Sequence, residues 1–182
     1  FGYFPSMAFG WKVKEEAFLS SVDEVSTMKF RASWGQTGNQ DIGNYQSLTT
    51  FAAGGINVFN VGGTSTKIST TAPTRIANPD LRWETTEQWN VGLDFGLFKD
   101  RIYGSFDYFE KKTFDMLINL PIPTSTGFTT QLRNAGSIQN KGIELSLNTV
   151  NIEKTDFSWT TSVNLATVKN KVLDLLNKPQ VL

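Results

Sequence analysis

The chain has 182 residues, with 17 lysines and arginines against 17 aspartates and glutamates, and neither histidine nor cysteine. The even charge leaves no net field to draw nucleic acid or an acidic substrate, and the missing residue types remove disulfide frameworks, thiol nucleophiles, zinc sites and the commonest general base. At 39% hydrophobic the chain is too apolar for disorder, yet it holds no apolar run of the kind a membrane helix needs.

The opening stretch FGYFPSMAFGW lacks the basic start, compact apolar core and small-residue cleavage site of a signal peptide. Within it Tyr3, Met7, Phe9 and Trp11 are apolar against Ser6, Ala8 and Gly10, the period of a first strand. Val13 to Glu24, with EEAFLSS inside it, is the one segment expected to make a short helix, and Ser21 and Glu24 have capping-box spacing. Lys12, Lys14, Glu15 and Glu16 fall in this connection. Phe30, Ala32 and Trp34 alternate with Arg31 and Ser33 as a second strand.

Gln36 to Arg82 then reads as a long polar loop, in which Tyr45, Phe51 and Phe59 supply flat rings and the glycines at 54, 55, 62 and 63 read as turn residues. These glycines match neither a P-loop nor a dinucleotide fingerprint. The third and fourth strands are the most regular. Val91, Leu93, Phe95 and Leu97 are set against Asn90, Gly92, Asp94 and Gly96, and after Lys99, Asp100 and Arg101 the pattern restarts with Phe106 and Tyr108 against Ser105 and Asp107. A second long loop, Leu117 to Gln139, precedes a fifth strand with Ile143, Leu145 and Leu147 against Glu144, Ser146 and Asn148. A turn around Glu153 and Lys154 leads to a sixth, with Phe157, Trp159, Thr161, Val163 and Leu165 against Ser158, Thr160, Ser162 and Asn164.

Long and short connections alternate, so in an antiparallel sheet the long ones gather at one end and the tight turns at the other. That asymmetry is the pattern of an outer-membrane barrel. The third strand keeps its period from Trp89 to Leu97, near the 9 to 11 residues that cross a bilayer at a tilt, with Trp83, Trp89, Phe95 and Phe98 placing rings toward both ends. The expected fold is all-β and antiparallel: about six strands of a larger transmembrane barrel, since six alone leave two unpaired edges and do not enclose a channel.

The stretches FPSMAFGWKVKEEAFL, MKFRASWGQTGNQDIGNY, NPDLRWETTEQWNVGLDFGLFKDRIYGSFDYFEKKTFDMLI, PIPTSTGF and NAGSIQNKGIEL follow in order over nearly the whole chain. Together they resemble the barrel region of the SusC/RagA-type TonB-dependent transporters of the Bacteroidota outer membrane. The resemblance implies that residues 1–182 are part of a single barrel of about 22 strands holding an N-terminal plug. It further implies uptake of oligosaccharides or peptides, pulled by TonB and covered by a SusD-like surface lipoprotein. No plug, TonB box or signal peptide is assigned to any residue here. The ending KPQVL lacks the terminal aromatic common to such barrels, so Leu182 reads as a truncation point.

Asp94, Asp107 and Glu144 are candidates for lumen-facing groups that touch substrate or plug, against the plainer reading of a wetted barrel interior. Arg31 is expected to pair with a neighbouring lumen carboxylate more readily than to capture an acidic ligand. Tyr45, Phe51 and Phe59 are candidates for stacking on a ligand or anchoring the lid protein, against packing the loop on itself. No catalytic residue, metal ligand or cofactor is expected, and no nucleic-acid partner. Two rivals make different demands. A soluble carbohydrate-binding β-sandwich requires the dry strand faces to meet one another, and a β-rich glycoside hydrolase requires one indispensable carboxylate pair, which the spacing does not select.

Overall fold

The structure, a computed structural model, describes residues 2–39, 43–61 and 63–175, with the side chains of Phe59, Val61, Thr64 and Thr66 outside that description. Leu182 also lies outside it. Ten strands follow in chain order: β1 (Ser6–Lys12), β2 (Val25–Asn39), β3 (Phe51–Val61), β4 (Thr64–Pro73), β5 (Glu84–Leu97), β6 (Ile102–Phe114), β7 (Leu117–Pro121), β8 (Thr130–Asn134), β9 (Ser137–Lys154) and β10 (Phe157–Asp174). β1, β2, β5, β6, β9 and β10 form one six-stranded sheet in that order, while β3–β4 and β7–β8 are separate two-stranded hairpins. The six strands expected from alternation are therefore neighbours in a single sheet. The two stretches expected to be structureless each fold into a hairpin.

The chain divides into two units, one made of residues 2–38, 85–114 and 137–175 and the other of the described residues within 39–84 and 115–136. The first unit is the sheet. Its register fixes its faces, because residues directly opposite in an antiparallel pair share a face and neighbours along a strand do not. Gly92 stands opposite Asp107, Asp107 opposite Glu144, and Glu144 opposite Ala166. One step on, Leu93 stands opposite Phe106, Phe106 opposite Leu145, and Leu145 opposite Leu165. At the first edge Met7, Phe9 and Trp11 stand opposite Trp34, Ala32 and Phe30, and Ala8 and Gly10 opposite Ser33 and Arg31. One face is thus apolar through these rows and the other mostly polar or small, with Phe109 and Val168 the apolar exceptions in the row of Asn90 and Gly142.

The apolar face is uncovered. Phe9 is 59% exposed, Val163 50% and Leu165 58%, and the buried hydrophobic core among the described residues amounts to Leu120 in the second unit. A sandwich needs those side chains dry against a second sheet, so the soluble alternative lacks its defining contact.

β9 and β10 run 18 residues each, longer than a bilayer crossing requires. They turn at Thr155 and Asp156, so β9 already includes the Glu153 and Lys154 that the alternation assigned to the turn. The β5–β6 turn is tight as expected, and Phe98, Lys99 and Asp100 all take left-handed backbone angles there, with φ of 56°, 57° and 59°. It is tied to the neighbouring strand by the Phe98 amide donating to the Glu24 carbonyl at 2.7 Å and the Asp100 amide to Ser26 Oγ at 3.0 Å.

The short helical connection is present as a 3₁₀ turn at Val13–Glu15 and an α-helical turn at Ala17–Ser20. Ser21 closes this helix and does not begin one, which corrects the capping-box expectation. Lys14 caps its end by donating to the carbonyls of Leu19, Ser20 and Val22, and Trp11 Nε1 donates to Glu16 at 2.8 Å. In the second unit Gly54 and Gly55 lie inside β3 at a bulge, Gly55 with φ of 135°, and Gly63 makes the turn. The first two are bulge residues, not turn residues, and Gly62 lies outside the described residues.

Candidate functional site

On the polar face Arg31 from β2 reaches across β5 to β6. Its Nε donates to Asp94 Oδ2 at 2.9 Å, and its Nη2 to Asp94 Oδ1 at 2.8 Å and to Asp107 Oδ1 at 3.0 Å. A planar guanidinium suits this two-carboxylate fork as an ammonium does not. The reach depends on a glycine: a Cβ at Gly92 would stand 2.8 Å from Arg31 Nη2 and also against Asp107 Oδ1. Arginine, glycine and two aspartates thus staple three strands on one face.

Sequence reasoning placed Asp94 and Asp107 on this face, and the structure brings both to one cation. Glu144 stands opposite Asp107 but is exposed and carries no ion pair among the described residues. Toward the tight turns the same face opens into a shallow basin of about 550 Å³, lined by Thr27, Asp94, Tyr103, Ser105, Ser146 and Asn148. Hydroxyls, the Asn148 amide and two carboxylates, Asp94 and Asp100, suit a water-filled or ligand-wetted wall. With both aspartates held by one guanidinium, the pair is not arranged as an acid and a base across a sugar, and no cluster among the described residues stands ready to hold a metal ion.

The apolar face ends where charge enters its register. Going up β5 toward the long connections, Leu97, Phe95, Leu93 and Val91 are followed in phase by Trp89 and Glu87. From Leu97 to Trp89 is about 27 Å along the strand, or about 20 Å when tilted by some 40°, close to the ~25 Å apolar band of an outer-membrane wall. Trp34 and Trp89 stack tilted with centroids 5.9 Å apart, and both indoles donate to Glu87 Oε1, at 2.7 and 3.2 Å. Rings with one wet edge belong at a membrane interface. The sequence signal for this belt was present in the in-phase Glu87 and Glu110, which the search for alternation passed over.

In the second unit Tyr45 is 72% exposed and Phe51 66%. Phe51 opens β3 opposite Pro73, and Phe59 pairs with Thr66 in the same hairpin, its side chain lying outside the described residues. Arg75 organises the segment before β3: it donates to the Tyr45 carbonyl, to Leu48 O at 3.0 Å and to Gln46 Oε1 at 2.7 Å. Beside it lies a small cavity of about 170 Å³ lined by Gln46, Thr74, Arg75, Asn119, Thr130 and Gln131. Alternation gives no sign of this cavity, because it is built from loop residues distant in sequence.

A single-layer antiparallel wall, apolar and exposed on one side, mostly polar on the other, with tight β5–β6 and β9–β10 turns, defines a segment of a transmembrane β-barrel. The described residues include no helix long and apolar enough to cross a membrane, which leaves strand crossing untouched. The family described as TonB dependent receptor-like, beta-barrel, matches residues 1–177, and the chain belongs to that family. It is 40% identical over 176 residues to the TonB-dependent receptor SusC of Bacteroides thetaiotaomicron, covering 96% of this chain and 17% of that one. It is 39% identical over 175 residues to the TonB-dependent receptor P3 of Formosa agariphila, again 96% of this chain and 17% of that one. Among solved structures it is similar to the RagAB peptide importer in the open-open state, with TM-score 0.82, 28% identity, and coverage of 97% of this chain and 18% of that one. The chain therefore spans about a sixth of the length of its relatives.

Proposed function

We propose that these residues serve an outer-membrane importer of a Bacteroidota-type bacterium, one that takes up oligosaccharides or peptides, is driven by TonB and is covered by a SusD-like lipoprotein. Residues 1–182 form part of its barrel domain, with the plug and the TonB-binding segment placed outside them. The carrying observation is the register: the rows from Val91 to Leu97 are apolar on one face, while the rows of Asp94 and Asp107 make the other face mostly polar. Family membership and the similarity to SusC and RagAB support the assignment. The chain acts as wall and loops and carries cargo without converting it.

Asp94, Asp107 and Glu144 face the lumen in this proposal. Asp94 and Asp107 keep the wall together through Arg31, while Glu144 stays available to cargo or plug. Tyr45, Phe51 and Phe59 belong to the extracellular side and touch ligand or lid. In the full parent protein, Tyr45→Ala with Phe51→Ala should lower cellular uptake of a labelled oligosaccharide or peptide mixture by about tenfold, with surface abundance unchanged. Unaltered uptake of both mixtures would remove these rings from the contact surface.

A further inference from the structure

The turn before β3 holds an aromatic residue in a conformation that its type resists. Tyr45 has a φ of 58°, in the left-handed region that crowds a side chain, while Asn44, a type better suited to that region, stays out of it. The Tyr45 ring is 72% exposed, so its own burial does not hold the backbone there. A residue keeps such an angle where its surroundings over-determine it. Arg75 does this. The Tyr45 carbonyl accepts from Arg75 Nη2 and, at 3.0 Å, from the Leu48 amide. The same guanidinium donates from Nη1 to Gln46 Oε1 at 2.7 Å and from Nε to the Leu48 carbonyl at 3.0 Å, so one rigid fork grips the turn at three points. Gly43 leaves room for this, since a Cβ there would stand 2.9 Å from Gln46 Nε2. Arg75 forms no ion pair among the described residues, and its donors go to neutral acceptors of this one turn.

The clamp is itself anchored on both sides. The Thr74 amide donates to the Thr50 carbonyl at 2.8 Å, Gln131 Nε2 to the Ala77 carbonyl at 2.6 Å, and Asn78 Nδ2 to the Leu132 carbonyl at 2.8 Å. Gln46 and Arg75 also line the small cavity of this unit with Asn119, Thr130 and Gln131, and no carboxylate stands in its wall to meet the amino group of a peptide. Amides and hydroxyls beside a flat exposed ring suit a sugar chain. We infer that Arg75 is a positioning residue, which holds the Tyr45 ring outward before cargo arrives, so that an oligosaccharide meets a preformed contact and pays no cost of ordering the turn. This rests on the proposed function in that Tyr45 touches cargo.

The test uses the full parent protein. Hydrogen exchange resolved at the Leu48 amide reports the turn, and exchange across β5 and β6 reports the wall. Arg75→Gln should speed exchange at Leu48 by about tenfold and leave the wall unchanged, and Arg75→Lys, which keeps the charge but not the fork, should do nearly the same. Unchanged exchange at Leu48 in Arg75→Gln would overturn the clamp. In cells, Arg75→Gln should raise the half-saturating concentration for uptake of a labelled oligosaccharide mixture by about fivefold and keep the maximal rate, because a smaller fraction of turns is then ready to bind. In a Tyr45→Ala background the same substitution should add nothing. A further rise there would mean that Arg75 meets cargo directly, and would overturn its positioning role. An effect confined to a labelled peptide mixture would overturn the choice of a sugar chain, and a lower maximal rate at unchanged half-saturation would place Tyr45 against the lid instead of cargo. Faster exchange at Leu48 in Arg75→Gln, together with unchanged uptake in Tyr45→Ala, would uphold the clamp and remove the cargo contact on which its use depends.

Discussion

Arg31→Leu is expected to lower the stability of the full-length barrel by about 2 to 3 kcal/mol, read as a shift in denaturant midpoint. Arg31 makes charge-assisted hydrogen bonds to Asp94 and Asp107, and its removal leaves two carboxylates facing one another across neighbouring strands. The side chains of Arg31 and Asp94 are each 34% exposed and that of Asp107 15%, which places the loss below the 3 to 5 kcal/mol typical of a fully buried pair. Adding Asp94→Asn and Asp107→Asn to Arg31→Leu should recover much of the loss, because the repulsion goes with the charges. A midpoint unmoved by Arg31→Leu would mean that water, not the guanidinium, carries these aspartates.

Leu145→Arg should cost about 2 to 4 kcal/mol in a bilayer, the loss found for a cation at the midplane of a barrel's lipid face. Leu145 sits in the row that joins Leu93, Phe106 and Leu165. Its neighbour Ser146 points to the other face, in the row of Asp94 and Ser105, so Ser146→Arg should change stability by less than about 0.5 kcal/mol. Folding yield into vesicles over a urea series measures both. Equal penalties at 145 and 146 would contradict the assignment of the faces.

The parts of this structure that are legible in the sequence are those in which one physical constraint repeats. Alternation at Val91 to Leu97 and at Ile143 to Leu147 marks the strands and also their faces, because each strand meets the same two environments along its length. The Arg31 pairing was foreseeable in kind, since an arginine on a polar face with aspartates on the same face one and two strands along the sheet seeks a carboxylate. Its dependence on Gly92 was not, because room for a side chain is a property of three strands together. The hairpins β3–β4 and β7–β8 escaped for two different reasons. The ribbon β3–β4 is exposed along nearly all its described length, as at Ile56 opposite Ser69 and Val58 opposite Lys67, so no dry face imposes a period, whereas β7 and β8 are five residues each, too short to display one although Leu120 is buried. The Arg75 cluster is held by backbone carbonyls, which leave no trace in residue type.

The most direct test places single cysteines from Gln88 to Phe98 in the full parent protein, each carrying a fluorophore, and reads quenching by nitroxide lipids in a reconstituted bilayer. Strong quenching at positions 91, 93, 95 and 97, weak quenching at 90, 92, 94 and 96, and intermediate values at 89 in the interfacial belt are the expected result. Uniformly weak quenching along the strand would contradict a membrane wall and return the apolar face to the interior of a soluble assembly.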